Sequence, residues 1–140
     1  MRTSRLNFAL ASGLLAFAVI ACSASTANLS SLKLSTDKSG SPEASTFSPT
    51  DTIYGVATVS NAPGKVKVEG RLVADDVDGL KAGPIEGLEK TLELPGSGTA
   101  TYTFTPPPQG WPKGKYKVET ILMNEDGQEK GTKTASFSVS

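Results

Sequence analysis

The stretch that decides the fold covers residues 111–122 and reads WPKGKYKVETIL. A proline and a glycine near its start predict a corner, because both residue types resist regular structure. After this corner, Tyr116, Val118 and Leu122 alternate with charged or polar residues. A period of two residues is typical of a β-strand with one face against a core and the other in water. We therefore expect a half-buried strand that starts directly after a corner.

Six further short runs have the composition of strands. Turn residues separate them at roughly ten-residue intervals. The run at 99–105 has the clearest alternation, with threonine at every odd position. The prolines at 106–108 must leave the sheet, because proline cannot donate a ladder hydrogen bond. Residues 75–87 are expected to be irregular because they are rich in glycine. The other runs lie at 32–34, 53–59, 65–74, 92–94 and 135–139.

Seven short strands and the lack of a helical period after residue 28 predict an all-β antiparallel sandwich. Within it, residues 112–116 (PKGKY) resemble the tyrosine corner of immunoglobulin-like and fibronectin type III-like domains. The chain is also similar to the small immunoglobulin-like domains of bacterial envelope proteins. The resemblance covers residues 29–140 and implies a seven-stranded immunoglobulin-like sandwich, although the paired cysteines of true immunoglobulin domains are absent. A lipocalin-like barrel is the structural alternative, which the short strand spacing disfavours.

The N-terminus has the features of a secretory signal peptide. Arg2 and Arg5 are basic, and residues 8–20 are apolar or small without any charge. A run of about 13 residues, at ~1.5 Å each, spans roughly 20 Å, which is short of the ~30 Å hydrocarbon core of a bilayer. We therefore expect residues 1–21 to be a signal peptide rather than a transmembrane helix.

Residues 19–22, Val-Ile-Ala-Cys, resemble the lipobox of bacterial lipoproteins. The resemblance implies cleavage before Cys22, a diacylglycerol thioether on its sulfur and often an acyl chain such as palmitate on the new amine. It makes residues 22–28 a lipidated, flexible tether in the cell envelope, and Ser23 implies the outer membrane if the host is Gram-negative. At ~0.8 kcal/mol per buried methylene one acyl chain anchors marginally, whereas two or three anchor firmly. The alternative is an ordinary secretory signal in which Cys22 is incidental.

The charge balance and the missing residue types exclude several functions. The chain has 14 basic and 14 acidic residues, and removal of residues 1–21 leaves a net charge of −2, 12 against 14. A near-neutral domain lacks the basic surface that nucleic acids require, so we expect no nucleic-acid partner. The absence of histidine excludes Ser-His-Asp and Cys-His catalysis and zinc sites built from cysteine and histidine. Cys22 is the single cysteine, so no intrachain disulfide can form.

Two groups of residues are candidates for ligand binding. Asp75, Asp76 and Asp78 lie in a predicted acidic loop at 75–79 and supply the carboxylate oxygens that calcium requires. The loop lacks the EF-hand pattern, so a solvated acidic loop is the alternative. Trp111, together with Tyr54, offers stacking surface for a saccharide or an apolar partner.

Three aromatic residues are assigned from their positions in the sequence. Trp111 is the aromatic residue that we expect to be exposed, and its alternative role is a lid over one end of the sandwich. Tyr102 and Tyr116 are expected in the core and at the corner.

Two functions follow from these features. The first is a membrane-tethered lipoprotein that acts as a protein–protein interaction or structural module of the cell envelope, with an envelope protein as partner. The second is a lipoprotein that binds a saccharide or calcium through Trp111 and the acidic loop 75–79. No cofactor is expected beyond the covalent lipid on Cys22. We expect no enzyme, because only carboxylate pairs remain for catalysis and a sandwich of this size leaves little room for a pocket.

Overall fold

The computed structural model describes residues 27–140 and has β-strands as the only regular structure in that part of the chain. The predicted signal peptide, Cys22 and the tether up to residue 26 lie outside the described residues. Ala27 is buried and Asn28 begins the first strand, so the folded part starts two residues before the predicted boundary at residue 29. The strands are β1 (Asn28–Ser35), β2 (Thr46–Phe47), β3 (Ile53–Ser60), β4 (Val66–Val77), β5 (Gly83–Leu94), β6 (Gly98–Phe104), β7 (Gly114–Asn124) and β8 (Glu129–Val139).

The strands form two facing sheets, a three-stranded sheet in the order β1-β3-β6 and a five-stranded sheet in the order β2-β8-β7-β4-β5. The predicted all-β, sandwich-like architecture is confirmed. The predicted number and direction of strands are wrong, because residues 27–140 contain eight strands and β2 runs parallel to β8. β2 is only two residues long and therefore has no period to read. It forms because Phe47 packs edge-on against Phe137, with ring centroids 5.3 Å apart.

The predicted alternation of β7 is confirmed, and it builds the centre of the core. Tyr116, Val118 and Leu122 are at most 1% exposed. They belong to the same core cluster as Ile53 and Ala57 of β3, which are fully buried. Burial at roughly 25 cal/mol per Å² of apolar surface makes this interface the main source of stability.

The predicted tyrosine corner is present at the start of β7. The Tyr116 hydroxyl donates a hydrogen bond of 2.5 Å to the carbonyl of Pro112. Its ring stacks on Phe137 with centroids 5.2 Å apart and planes 4° apart. Gly114 has a φ of +148°, and a Cβ at this position would overlap the carbonyl oxygen of Asp76. Only glycine therefore fits at this turn. Tyr116 therefore fixes the corner to the strand that it begins.

The predicted irregular segment 75–87 is mostly strand, which corrects the sequence analysis. β4 continues to Val77 because its ladder with β7 extends to Gly114, and only residues 78–82 form a loop. β5 then starts with a large bulge. Its residues 85–88 lie opposite the single β4 residue Leu72, between the pairs Val73–Pro84 and Arg71–Glu89. The glycines that suggested a loop have positive φ: Gly79 (+77°) lies in the short loop, Gly83 (+133°) begins β5, and Gly87 (+83°) lies in the bulge.

The sandwich has two ends, which we call the near end and the far end. The near end holds the start of β1, where Asn28 pairs with Ser60, and the β3–β4 and β7–β8 turns. The far end holds the β4–β5 loop, the β6–β7 connection and the end of β8. The eight residues of β3 run between them, and at about 3.3 Å per residue they separate the ends by roughly 25 Å. Within residues 27–140 no helix has the length and hydropathy needed to cross a bilayer.

Candidate functional site

An apolar cleft of about 410 Å³ opens at the far end of the sandwich. We call it the far-end cleft. Its lining comes from the β4–β5 region on one side, from the β6–β7 connection on the other, and from the corner of β7 at its floor. No charged residue lines it. Its volume falls in the range of about 300–1,000 Å³ that is typical of small-molecule sites.

The bulge of β5 forms the first wall of the far-end cleft. It carries Ile85 and Leu88 out of the β4 ladder, and both side chains are partly buried against the core. Leu80, in the loop before β5, completes this wall. At 40% exposure Leu80 is the large apolar side chain that residues 27–140 leave exposed. None of these residues is among the candidates drawn from the sequence, although the apolar Leu80, Ile85 and Leu88 within a glycine-rich stretch were a signal for them.

The floor of the far-end cleft contains Trp111, which is only 5% exposed. The expectation that Trp111 is exposed is therefore wrong, and its alternative role as a lid over the sandwich end fits the structure. The reason is a pair of hydrogen bonds to a distant loop. The backbone N–H of Trp111 donates to the Pro49 carbonyl and the indole Nε1–H donates to the Asp51 carbonyl, each at 2.8 Å. One edge of the indole ring meets Tyr116, with centroids 6.3 Å apart.

The second wall of the far-end cleft comes from the β6–β7 connection. The run of prolines leaves the sheet as predicted, and Pro107 lines the cleft. Thr105 and Gln109 bring a hydroxyl and an amide group to the same wall. These groups give the apolar cleft a small polar component. Burial raises the pKa of the Tyr116 hydroxyl at the floor.

The structure does not bring Tyr54 together with Trp111. Tyr54 is half-buried on β3, where it pairs with Ser35 on β1 and Thr103 on β6. It is not part of the lining of the far-end cleft. A stacking site that uses both aromatic rings is therefore not formed.

The three aspartates proposed for calcium do not converge either. Asp75 and Asp76 are exposed neighbours on β4, at the irregularity where its ladder with β7 shifts register. Asp75 pairs instead with Lys117 at 3.4 Å. Asp78 lies beyond the strand, where its backbone N–H donates to the Lys113 carbonyl at 3.1 Å. In residues 27–140 no group of three or more acidic or cysteine side chains is arranged to hold a metal ion.

The chain resembles known proteins in fold only. No protein-family model matches it, and no curated protein matches its sequence. A β-glucosidase from Listeria innocua in complex with glucose matches with a TM-score of 0.50 and 15% identity, over 81% of this chain and 16% of the glucosidase. The alkylpurine DNA glycosylase AlkC from Pseudomonas fluorescens, bound to DNA containing an abasic site analogue, matches with a TM-score of 0.49 and 15% identity, over 82% of this chain and 30% of the glycosylase. The soluble domain of PmoD from Methylocystis sp. matches with a TM-score of 0.43 and 19% identity, over 78% of this chain and 89% of that one.

The match to the glucosidase contradicts the expectation that the chain is not an enzyme. That expectation was based on the carboxylate pairs that alone remain for catalysis and on the little room that a sandwich of this size leaves for a pocket. The glucosidase is an enzyme that contains the same fold, and this chain spans 16% of its length. The sandwich also has a cleft of about 410 Å³. The fold is therefore no argument against a catalytic role.

Proposed function

We propose that the chain is a lipid-anchored, immunoglobulin-like module of a bacterial cell envelope that binds a partner protein at its far-end cleft. The observation that carries the proposal is the cleft itself, with its uncharged apolar lining and the exposed Leu80 at its rim. Protein interfaces draw most of their affinity from a few apolar or aromatic anchors seated in such pockets. When a partner covers an exposed leucine beside an open apolar pocket, the burial of this apolar surface favours binding.

The strand order supports the immunoglobulin-like type. The order β8-β7-β4-β5 corresponds to strands G, F, C and C′ of such domains, and β1-β3-β6 corresponds to A, B and E. In this correspondence β7 is the F strand. Tyr116 and its hydrogen bond to Pro112 then occupy the position of the tyrosine corner.

The direction of the chain supports a module that reaches away from a membrane. Because residues 19–22 resemble a lipobox, we propose that Cys22 carries the lipid anchor. Only residues 23–27 separate it from β1, and at about 3.5 Å per residue they bridge roughly 20 Å at most. Since β1 starts at the near end, the anchor holds that end towards the bilayer. The far-end cleft then faces the opposite way, towards a partner.

Affinity capture of the mature lipoprotein from native membranes tests this function. The informative variant is Leu80→Asp, which adds a charge at the exposed rim of the cleft without disturbing the core. The matched control is Gln128→Glu, which adds the same charge in the exposed β7–β8 turn at the near end. We expect wild type and Gln128→Glu to recover a common partner that Leu80→Asp loses. Equal recovery by all three proteins would contradict docking at the cleft.

A saccharide ligand in the same cleft is the second candidate. It is supported by the presence of Trp111, Thr105 and Gln109 in the lining of a cleft of suitable volume. Because Trp111 is buried, Gln109→Leu is the better variant, since Gln109 is exposed. A glycan array that shows specific binding by the wild type, and its loss in Gln109→Leu, would favour this candidate. Binding to no glycan would eliminate it.

A further inference from the structure

We propose that β6 binds an extended segment of the partner protein as a fourth strand of the smaller sheet. This inference rests on the proposed function and names the kind of partner. In this arrangement the segment forms backbone hydrogen bonds with β6 and places an apolar side chain in the far-end cleft. Addition of a strand to an open sheet edge is a common mode of peptide recognition.

The layer structure leaves room for this strand. The two sheets face each other strand by strand. β1 faces β8, a Cβ on Gly55 of β3 would lie 3.6 Å from Val118 of β7, and Tyr102 on β6 donates a 2.5 Å hydrogen bond to the carbonyl of Val68 on β4. β5 lies one strand beyond β4 and also approaches β6, but no strand is hydrogen-bonded to the outer edge of β6. This edge is therefore unpaired within residues 27–140.

The inward face of β5 carries apolar side chains that are not fully buried. Leu92 and Leu94 pair with the buried residues Val68 and Val66, so they point to the same face of the sheet. Both leucines nevertheless stay only partly buried. A strand beside β6 would lie across from them and remove this apolar surface from water.

The edge of β6 differs from the other sheet edges in residues 27–140. Gly98–Phe104 contains no charged residue and no proline, and its outward side chains are threonines. In contrast, β5 carries Glu86, Glu89, Lys90 and Glu93, β1 carries Lys33, and β2 is only two residues long. Charges and short length are the means by which proteins block strand addition at an edge. Among these edges, β6 alone lacks such protection.

A seam between β5 and β6 links this edge to the far-end cleft. A second cleft of about 140 Å³ lies along it, lined by Tyr102 and Phe104 on β6 and by Leu88 and Lys90 on β5. Leu88 also lines the far-end cleft. A single segment could therefore lie along the seam and place one of its side chains in the far-end cleft.

The residues along β5 define the chemistry of the segment. From the far end to the near end its inward row is Leu88, Lys90 and Leu92. Lys90 has no ion-pair partner in the described part of the chain. A segment antiparallel to β6 runs in the same direction as β5. Starting at its N-terminus, the segment should carry an apolar anchor for the cleft. The residues that follow at every second position should be apolar, except for one acidic residue near Lys90.

Selection from a random decapeptide library displayed on phage, with the mature lipoprotein as bait, tests the inference. We expect selected peptides to alternate in this way, with one acidic position at a fixed distance after the apolar anchor. Lys90→Glu should change that position from acidic to basic, whereas the control Lys65→Glu at the near end should leave the selected pattern unchanged. A synthetic peptide with the selected sequence should bind Lys90→Glu about tenfold or more weakly than wild type. On binding, amide hydrogen exchange should slow in residues 98–104 but not in residues 28–35.

Three results would overturn the inference. One is the selection of no peptide, or of peptides without the alternation. Another is indifference of the selected peptides to Lys90→Glu. The third is a dimer in solution that Thr101→Lys dissociates, since the occupant of the edge would then be a second copy. If membrane capture still depends on Leu80 in any of these cases, the proposed function stands and only strand addition fails.

Discussion

The hydroxyl of Tyr102 on β6 donates a hydrogen bond of 2.5 Å to the carbonyl of Val68 on β4, and so joins the two sheets through the core. The ring reaches this carbonyl because the next inward residue of β4 is Gly70. A Cβ on Gly70 would lie 2.7 Å from two ring atoms of Tyr102. Real carbon atoms do not approach so closely, so this glycine is required by packing rather than by a turn.

Gly70→Ala should therefore destabilise the domain, although alanine normally favours a strand over glycine. We expect a loss of about 1–3 kcal/mol in the free energy of unfolding, which is the usual cost of overpacking a core. Gly64→Ala is the matched control, because a Cβ there meets open space. Urea denaturation of the three proteins measures the difference. Equal midpoints for Gly70→Ala and wild type would show that Tyr102 does not occupy this position.

Tyr116→Phe should weaken the corner while the ring stack on Phe137 stays in place. The variant loses the hydrogen bond to Pro112, and we expect it to cost about 1–2 kcal/mol of stability. Tyr54→Phe is the control, because Tyr54 is half-buried and outside the corner; its effect should stay within ~0.5 kcal/mol. Thermal unfolding checks both values. If Tyr116→Phe is as stable as the wild type, the hydrogen bond to Pro112 does not stabilise the corner.

Alkaline pH should destabilise the domain through its buried tyrosines. Burial, with a smaller contribution from the charge of Glu69, raises the pKa of Tyr102. In the unfolded chain tyrosine ionises near pH ~10, so above that pH the unfolded state holds fewer protons than the folded state. The stabilising effect is complete below about pH 10 and is lost as the pH rises further. Between about pH 9 and 11 the melting temperature should fall less in Tyr102→Phe than in wild type, and an equal fall would contradict this origin.

Cys22→Ser tests the proposed lipid anchor. Without the sulfur no thioether can form, so the domain should leave the membrane fraction after a carbonate wash, whereas the wild type should stay. Gln128→Glu serves as a control for a substitution that leaves the anchor intact. Retention of Cys22→Ser in washed membranes would mean that the chain is held there in some other way.

The features that the sequence predicted are those determined by neighbouring residues. The corner at Pro112 and Gly114 and the alternation after Tyr116 lie within a few residues of each other, and both are present. The prolines after Phe104 leave the sheet for the same local reason. In each case the residue type limits the backbone regardless of the rest of the chain.

The features that the sequence missed depend on distant contacts. The burial of Trp111 is due to Asp51 and Pro49, about 60 residues earlier. The start of β5 looked irregular because its glycines break local periodicity, but pairing with β4 on both sides of the bulge makes it a strand. The cleft then follows from that bulge, because it places Ile85 and Leu88 beside a connection that is distant in sequence.

The most direct test of docking at the far end is photo-cross-linking in native membranes from two positions of the protein. A photoreactive amino acid replaces Leu80 at the rim of the far-end cleft in one protein and Gln128 at the near end in the other. The account predicts one discrete protein adduct from position 80 and none of the same mass from position 128. The absence of any adduct at position 80, or the same adduct from both positions, would contradict a docking site at the far end.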